Sequence, residues 1–379
     1  MNLFNVYPLF EITPVKAKDV FVYDKFGKEY LDLYGGHAVI SIGHSHPEYV
    51  KSITEQVKKI GFYSNSIQNP IQEELAKKLG TLSGCKEYEL FLCNSGAEAN
   101  ENALKLASFH TNNKKVIAFK NSFHGRTSAA VAATDNPKII APINAQQEVE
   151  ILALGDLESL EKSLAKNDVC AVIIECIQGV GGLDESTTDF YEGVNELCKK
   201  HNTCFIADEV QSGYGRTGNF FAFQKYNVKP DIISIAKGMG NGFPIGGILI
   251  HPKIKASYGL LGTTFGGNHL ACAAGLSVLN VIENENLMGN VNFISEYFIR
   301  IAETIPQIKN IKGRGLMLGL EFDFPIAELR KKLIYDYQIF TGSAKNPNLI
   351  RILPPLTIRK EHINQFFEAL VNALKELNT

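Results

Sequence analysis

The chain has 379 residues, of which 45% are hydrophobic and 21% are charged, and its formal net charge is -2. This length exceeds that of a usual single domain and allows a large buried core. The composition excludes a disordered or fibrous chain, and the charge balance excludes a general field for nucleic acid or an anionic membrane surface. A net charge of -2 is still compatible with a local basic pocket for an anionic substrate.

The opening stretch MNLFNVYPLFEITPVKAKD has no basic flank followed by a sustained apolar core, and no later stretch has the length of a membrane span. The seven cysteines are widely spaced, contain no CxxC pair and fall partly within apolar runs. Such a set predicts reduced, mostly buried thiols and no metal or disulfide framework. We therefore expect a cytoplasmic protein that is not inserted in a membrane.

The first predicted element is a β-hairpin in VFVYDKFGKEYLDLYGG, with residues 25–27 in its turn. From about residue 88, short apolar runs alternate with amphipathic helical segments, the runs being YELFLCN, KKVIAFK, VCAVIIEC, TCFIADE, DIISIAK and GGILIH. This alternation predicts an α/β fold whose mostly parallel sheet is covered on both faces. Ligands then belong at the carboxyl ends of the strands.

Towards the carboxyl end, residues 316–322 and 349–353 are predicted to form short strands among helices. Together with the N-terminal hairpin they could build a smaller lobe from both ends of the chain. We expect a small-lobe segment over residues 1–48, a large domain over 49–265 and a C-terminal small domain over 266–379.

The segment DIISIAKGMGNGFPIGG ends an apolar strand on Lys237 and continues with five glycines. A lysine at a strand end is often only a solvated tip. Glycines, however, let a flat ligand approach the backbone closely, and a partly desolvated lysine is the side chain that forms Schiff bases with aldehydes.

Two further strand ends carry polar groups. IADEVQSGYGRTG delivers Asp208 and Glu209 to the same sheet edge, where one carboxylate could be a helix cap or a surface group. A buried carboxylate beside a pyridinium nitrogen is the feature that keeps pyridoxal phosphate electron-withdrawing. In CNSGAEANENALKLA, residues 95–97 open a helix, and a helix N-terminus suits a phosphate.

Two loops complete the set of candidates. In SFHGRTSAA, Phe123 could lie on a cofactor ring and Arg126 could hold a carboxylate through two hydrogen bonds, although a surface loop would look the same. In GTTFGGNHLACAAG, Thr263 and Thr264 precede a helix start that again suits an anion.

Together these motifs resemble the class III, ornithine-type aminotransferases that depend on pyridoxal phosphate, and among them the acylornithine aminotransferases of arginine biosynthesis. The resemblance spans nearly the whole chain, through GHSHP, NSGAEANENALK, FHGRTSAA, DEVQSGYGRTG, AKGMGNGFPIGG, TTFGGN, RGLMLGLEF and RILPPLTI. It implies the fold type I architecture, with a mostly parallel seven-stranded sheet and a smaller α+β domain, and a homodimer.

The resemblance also implies roles around the cofactor ring. Lys237 forms the Schiff base with pyridoxal phosphate and, once freed, moves a proton. Asp208 holds the protonated pyridine nitrogen, while Val210 and Phe123 lie on opposite faces of the ring. Gln211 reaches the phenolic oxygen.

By the same resemblance, Ser95, Gly96 and Ala97 bind the phosphate from one subunit and Thr264 of the partner subunit completes that site. His124 belongs to the same cofactor-binding set.

Four other residues are assigned to the reaction and its substrates. Glu175 lies close to the ring, Arg126 and Arg351 bind substrate carboxylates, and His37 lies at the substrate mouth. The implied reaction exchanges an amino group between an N-acylornithine, acetyl or succinyl, and 2-oxoglutarate.

Other classes of protein share some of these motifs. A dinucleotide-dependent dehydrogenase would show a GxGxxG fingerprint at its first helix, whereas GMGNGFPIGG lies late in the chain and contains proline. Closer alternatives share the cofactor: an aminotransferase that takes ornithine, 4-aminobutyrate or a diamine, a decarboxylating transaminase, or an aminomutase. In GHSHP, His44 and His46 have a metal-like spacing, but no Cys or acidic partner clusters nearby and a loop role is favoured.

The chain departs from the ornithine-type pattern at a few positions. Where those relatives read E-P-x-Q-G-E-G-G, this chain has ECIQGVGG, so Cys176 replaces proline and Val180 replaces an acid. Leu261 stands where histidine is frequent and His269 where proline is common. In the relatives the acid can pair with the later arginine, so Val180 predicts that Arg351 stays open and favours substrates with an additional carboxylate.

Overall fold

The structure is a computed structural model that describes residues 1–377. Its strands are β1 Pro14–Lys18, β2 Phe21–Asp24, β3 Glu29–Asp32, β4 Glu89–Cys93, β5 Lys115–Phe119, β6 Val149–Leu152, β7 Val169–Ile174, β8 Cys204–Asp208, β9 Ile232–Ile235, β10 Gly246–Ile250, β11 Asn310–Arg314, β12 Met317–Glu321, β13 Ile339–Phe340, β14 Gly342–Ser343 and β15 Leu349–Ile352. Its helices are α1 Gly35–Ala38, α2 Pro47–Lys59, α3 Pro70–Ser83, α4 Gly96–Thr111, α5 Ser128–Ala132, α6 Leu157–Leu164, α7 Thr188–Lys200, α8 His269–Asn284, α9 Leu287–Ala302, α10 Ala327–Tyr335 and α11 Lys360–Glu376.

A seven-stranded sheet in the order β4-β10-β9-β8-β7-β5-β6 forms the centre of the fold. All its pairings are parallel except those of β10, which is antiparallel to both β9 and β4. The chain reaches β10 from β9 through residues 236–245 without a crossover helix, and such a short connection leads to an antiparallel neighbour. The predicted α/β class with a mostly parallel seven-stranded sheet is confirmed.

The central strands form because their residues are apolar on both faces. All six residues of β7 are buried, as are those of β8 and β9, and α4 packs across β7, β9 and β10. Strands covered on both sides lose the alternation of polar and apolar residues, which is why they are continuous apolar runs in the sequence. The carboxyl ends of these three neighbouring strands therefore meet at one edge of the sheet.

Both ends of the chain contribute to a separate four-stranded sheet in the order β1-β2-β3-β13. The β2–β3 hairpin confirms the predicted N-terminal hairpin, and β13 adds to β3 in parallel, with Leu31 opposite Ile339. A third sheet, β11-β12-β15-β14, contains the two strands predicted near the carboxyl end. The domain boundaries at residues 48 and 265 stay a prediction.

A buried asparagine fastens the N-terminal region to the glycine-rich segment. The Asn241 side-chain oxygen accepts hydrogen bonds from Ser41 N at 2.8 Å and Ile42 N at 3.1 Å, and its amide donates to Gly43 O at 2.9 Å. Asn241 also has a positive φ of 46°, a conformation that asparagine tolerates better than most residues. The glycine-rich segment is thus a fixed part of the fold, not a flexible tether.

The cysteines and the GHSHP histidines have structural positions. All seven cysteines are buried, as predicted. His44 contacts Asp32 at 2.8 Å, and His46 contacts Glu285 and accepts a hydrogen bond from Glu48 N at the start of α2, so each histidine has its own partners. No helix within residues 1–377 combines the length and apolarity needed to cross a bilayer.

Candidate active site

A cavity of about 340 Å³ opens where the carboxyl ends of β8 and β9 face the N-terminus of α4. Most of the predicted site residues line it, although they come from widely separated parts of the chain. They are Ser95, Gly96, Ala97, Phe123, His124, Arg126, Glu175, Asp208, Val210, Gln211 and Lys237. The structure thus brings the motifs of five separate segments together around one space.

Asp208, the last residue of β8, is a buried carboxylate held by several donors. Its Oδ2 accepts hydrogen bonds from His124 Nδ1 at 2.7 Å and Asn100 Nδ2 at 2.8 Å, and Oδ1 accepts from Val210 N at 3.1 Å. Asp208 is 4% exposed and His124 is 2% exposed. These bonds fix the carboxylate at the cavity wall and satisfy the oxygens of a buried polar group.

Asn100 was not among the predicted residues. It lies one helical turn after Gly96, on the same face of α4, and its amide also donates to His124 O at 2.7 Å. The spacing of four residues from a predicted cavity residue is the signal that could have identified it.

Glu209, the neighbour of Asp208, points away from the cavity and has a structural role. Its carboxylate accepts hydrogen bonds from Ala222 N and Phe223 N, both at 2.9 Å, and from Ser212 Oγ at 2.7 Å. Successive residues at a strand end face opposite sides, so only one of the two carboxylates can reach the cavity. Asp208 is therefore the carboxylate that can face a ligand in the cavity, and Glu209 is the one with the structural role.

Lys237 lies two residues after β9, in a short 3₁₀ turn over Lys237–Met239. Its φ of 46° is in the left-handed region, which is uncommon for a residue with a side chain and typical of functional sites. Burial lowers the pKa of the Lys237 amine, while Asp208 and Glu175 act in the opposite direction. The amine is therefore more readily deprotonated than that of an ordinary lysine.

Glu175 follows β7 and completes a row of polar groups at three neighbouring strand ends. Its Oε1 accepts a hydrogen bond from Phe123 N and its Oε2 accepts one from Gly179 N, both at 2.9 Å. Burial raises the pKa of the Glu175 carboxyl, and the nearby Asp208 raises it further. Glu175 thereby fixes both the loop that carries Phe123 and the segment that leads to Val180.

The start of α4 forms a cradle lined by backbone. Ser95 caps the helix by accepting a hydrogen bond from Glu98 N at 3.2 Å, and the N–H groups of Gly96 and Ala97 have no carbonyl one turn earlier in the helix. A Cβ on Gly96 would lie 2.5 Å from Val210 Cγ1. Glycine at this position lets the helix N-terminus approach Val210.

Arg351, on β15, lies behind the cavity wall and has no acidic partner. It is 3% exposed, and no carboxylate lies within 4 Å of its guanidinium anywhere in residues 1–377. It donates instead to three neutral oxygens: Ser343 O at 2.6 Å, Gly179 O at 2.8 Å and the Tyr34 hydroxyl at 3.1 Å. Tyr34 was not predicted from the sequence.

His37 is close to this group but on the exposed side. Its Nδ1 is 2.5 Å from the Tyr34 hydroxyl, and its carbonyl accepts a hydrogen bond from the Gln211 amide at 3.4 Å. His37 therefore links Arg351, through Tyr34, to a residue that lines the cavity. The predicted placement of His37 at the substrate mouth stays a prediction.

Two predicted residues differ in how they relate to the cavity. Arg126 is exposed and lies at its lining, with no ion pair within the described chain. Thr264 is exposed in the loop before α8 and does not line the cavity of its own chain.

The residues present fit pyridoxal phosphate. His124 Nε2 and Gln211 Oε1 are buried without a hydrogen-bond partner within residues 1–377, so the site holds polar atoms that a ligand would satisfy. The cavity joins an amine, a buried carboxylate, apolar side chains and a helix N-terminus, which are the groups that suit an aldehyde, a pyridine nitrogen, a flat ring and a phosphate.

Comparison with known proteins agrees with this fit. The aminotransferase class-III family matches residues 5–374. The acetylornithine aminotransferase of Aquifex aeolicus is 40% identical over 383 residues, covering 97% of this chain and 98% of the relative, and that of Methanocaldococcus jannaschii is 39% identical over 389 residues, covering 99% and 95%. The crystal structure of ornithine aminotransferase from Toxoplasma gondii superposes with a TM-score of 0.91 at 27% identity, covering 98% of this chain and 92% of that one.

The fold is that of an enzyme that uses pyridoxal phosphate to transfer amino groups, and the cavity residues fit that cofactor. The chain belongs to the class III aminotransferase family. This membership overturns the dehydrogenase interpretation.

The opposite orientations of Asp208 and Glu209 lead to a paired prediction. Asp208→Asn removes the charge at the cavity and is expected to slow the first half of the reaction about 100-fold, as loss of an electrostatic group in an active site does. Glu209→Gln is expected to lower the free energy of unfolding by about 1–3 kcal/mol, because buried N–H donors lose acceptors, with little change in rate. Stopped-flow absorbance and urea unfolding measure the two effects. Equal loss of rate in both folded variants would contradict the division of roles.

Proposed function

We propose that the enzyme exchanges an amino group between an N-acylornithine and 2-oxoglutarate, giving the N-acylglutamate semialdehyde and glutamate, as a step of arginine biosynthesis. The observation that carries this proposal is that two arginines have no ion pair within residues 1–377, Arg126 at the cavity lining and Arg351 buried behind it, and these suit substrates with carboxylates. The full-length relatives named acetylornithine aminotransferase support the same substrate class.

Pyridoxal phosphate, when bound, supplies an aldehyde that takes up the amino group and a ring that withdraws electrons. Lys237 is proposed to hold the cofactor through its Nζ and afterwards to carry a proton on the same atom. Its lowered pKa favours this task, because a neutral amine is needed both to attack an aldehyde and to accept a proton.

The other cavity residues are proposed to bind and orient the cofactor. Asp208, fixed by His124 and Asn100, faces the ring nitrogen, and Val210 and Phe123 exclude water from the two faces of the ring. The remaining groups anchor the edges of the cofactor: Gln211 at the phenolic oxygen, and Ser95, Gly96 and Ala97 at the phosphate.

The two arginines are proposed to bind the substrate carboxylates. Arg126 is exposed at the cavity lining and suits the α-carboxylate of the amino-acid substrate, while Arg351 is buried and donates to Gly179 O, next to Val180. The distal amine of the acylornithine then faces Lys237. Glu175 is proposed to lie close to the ring. It also holds the segment that follows it in place by accepting a hydrogen bond from Gly179 N.

We also propose that the active unit is a homodimer in which Thr264 of the partner subunit completes the phosphate site. Support comes from the exposed position of Thr264, away from the cavity of its own chain. Cytoplasmic location and the division into a small N-terminal segment, a large domain and a C-terminal small domain belong to the same proposal.

The substrate class is tested by the spectral half-reaction of the purified holoenzyme. N-acetylornithine or N-succinylornithine is expected to react with a kcat/KM at least about tenfold above that of ornithine or 4-aminobutyrate, since each tenfold step needs only about 1.4 kcal/mol of differential binding. The second candidate, an aminotransferase for ornithine itself, is favoured by the likeness to ornithine aminotransferase structures. Preference for ornithine or 4-aminobutyrate would establish an alternative and sink the acylornithine proposal.

The shared phosphate site is tested by mixing two inactive parents. Each mixed dimer of a Lys237→Ala subunit and a Thr264→Ala subunit should contain one site with neither defect. Because half of the dimers in a random equimolar mixture are mixed, the mixture should recover up to about a quarter of the activity of the same amount of wild-type enzyme. Borohydride reduction followed by peptide mapping should label Lys237 in the wild type and not in Lys237→Ala. Verified mixed dimers that are as inactive as both parents would exclude sharing through Thr264.

Val180 gives a test of how Arg351 is used. Val180→Glu places an acid next to Gly179, whose carbonyl accepts from Arg351 Nη1, and should mask that cation. The expected result is a fall in kcat/KM for N-succinylornithine roughly tenfold to a hundredfold larger than for N-acetylornithine, with the cofactor spectrum largely preserved.

Val180→Gln is the matched control for this substitution, because it adds the same length without the charge and should leave the ratio between the two substrates within a few-fold of the wild type. If Val180→Glu changes both substrates by one factor, Arg351 does not bind the acyl carboxylate.

A further inference from the structure

We propose that Tyr34, acting through Arg351 and His37, is a specificity-determining residue that fits the substrate mouth to an acyl group ending in a carboxylate. This inference rests on the function proposed above and names the feature of the acyl group that the enzyme selects. Tyr34 is a positioning residue in this proposal. It holds Arg351, which is buried behind the cavity wall, and His37, which is exposed, and these two are the groups proposed to bind the acyl carboxylate.

Arg351 is buried, yet all of its hydrogen-bond partners are neutral. A buried guanidinium usually has a carboxylate beside it, because an unpaired buried charge is costly. Here its three hydrogen bonds go to two backbone carbonyls and one phenol, all neutral. A guanidinium has five N–H donors, so this arrangement fixes the orientation of Arg351 and leaves donors, and a positive charge without an ion-pair partner in residues 1–377, for an incoming anion.

The hydrogen bonds at the Tyr34 hydroxyl have a defined direction. Its hydroxyl accepts from Arg351 Nη2, so the single hydroxyl proton is available for His37 Nδ1, 2.5 Å away. Burial raises the pKa of the Tyr34 phenol above its ordinary value although Arg351 and Arg330 lower it, so the proton stays on the oxygen. Arg351, Tyr34 and His37 therefore form one chain of donors and acceptors, which we call the Arg351–Tyr34–His37 relay.

The same contacts fix the tautomer of His37. Its imidazole is partly buried, and this partial burial, together with Arg351 and Lys237, lowers the pKa of the ring and favours its neutral form. Since Nδ1 of a neutral ring accepts from Tyr34, the ring proton must be on Nε2. His37 is exposed, so this N–H is free to donate to an oxygen of a substrate at the mouth.

The backbone around His37 is arranged to maintain this geometry. Residues 35–38 have four consecutive positive φ angles, 54° and 55° at the two glycines and 68° and 63° at His37 and Ala38. A left-handed turn of this length is strained for residues with a Cβ, and such strain persists where neighbouring contacts hold it. The Tyr34 ring contributes to those contacts, because it packs on Gly342, which pairs with Arg351 across β14 and β15.

The charges near the relay favour an anion. Arg330 lies near enough to Tyr34 and Arg351 to affect their electrostatics, donates to Thr341 O at 2.8 Å, and likewise lacks an ion pair within residues 1–377. Two acids also lie near the relay: Asp32, whose Oδ1 accepts hydrogen bonds from Tyr34 N at 2.9 Å and Gly35 N at 2.8 Å, and Glu175, which affects the electrostatics of Arg351. Neither forms an ion pair with either arginine, so the surroundings combine two arginines without ion pairs and a neutral imidazole donor. A terminal carboxylate fits this arrangement, a methyl group gains nothing from it, and a free ammonium group is repelled by it.

The test compares Tyr34→Phe, His37→Ala and the double variant in half-reactions with N-succinylornithine and N-acetylornithine. Tyr34→Phe keeps the ring and removes only the hydroxyl, and it should lower the succinyl-to-acetyl ratio of kcat/KM about tenfold, mainly through KM. The double variant should lower the ratio no further than a single one, because both substitutions break one relay. Tyr30→Phe is the control, since it removes a buried hydroxyl from β3 that contacts Asp24.

Two readouts do not depend on the acylornithine assignment. The affinity of the holoenzyme for glutarate relative to pentanoate, which has the same chain length and one carboxylate fewer, should fall about tenfold in Tyr34→Phe. In ¹⁵N-histidine spectra, His37 should be the Nε2–H tautomer in the wild type and lose that state in Tyr34→Phe.

The outcomes separate the two proposals. Equal factors for both acyl substrates, additive effects in the double variant, or an unchanged glutarate preference and tautomer would overturn the role of Tyr34. If the wild type uses neither acylornithine, the function proposed above is wrong. The relative affinity for glutarate and pentanoate and the His37 tautomer still decide whether the Arg351–Tyr34–His37 relay binds a carboxylate.

Discussion

The burial of one negative charge organises the centre of this enzyme. The Asp208 carboxylate is 4% exposed, and without donors its ionised form would be too costly at the end of a core strand. The donors come from three places: Asn100 on α4, His124 in the loop after β5, and the Val210 backbone. The hydrogen bonds to this carboxylate therefore hold the N-terminus of α4, the loop after β5 and the end of β8 together around the cavity.

Hydrogen-bond partners also determine the different functions of two neighbouring carboxylates. The Glu209 carboxylate accepts hydrogen bonds from the backbone N–H groups of residues 222 and 223, so it stabilises the fold, whereas the Asp208 carboxylate lies at the cavity. Arg351 shows the opposite arrangement, since its neutral partners hold it in place without cancelling its charge. In both cases the identity of the hydrogen-bond partners determines whether a buried charge is available for chemistry.

Much of the fold and site could be predicted because the signals are local. Continuous apolar runs identified β7, β8 and β9, and chemistry-bearing residues at strand ends identified Lys237 and Asp208. The weakly apolar β6 was not predicted, and the antiparallel direction of β10 cannot be read from periodicity. Tyr34 could not be found because its partner Arg351 is 317 residues away in the sequence. Contacts of that range depend on the tertiary fold, which no local pattern encodes.

The parallel pairing of β3 with β13 has a consequence for the order in which the molecule is made. The central sheet and its lysine are complete once about two thirds of the chain has left the ribosome, whereas Tyr34 must wait for Gly342 and Arg351. Domains tend to fold from the N-terminus during synthesis, and contacts between distant segments form late. A nascent or truncated chain would therefore possess the cofactor cradle before it possesses Arg351 and the contacts that hold Tyr34 in place.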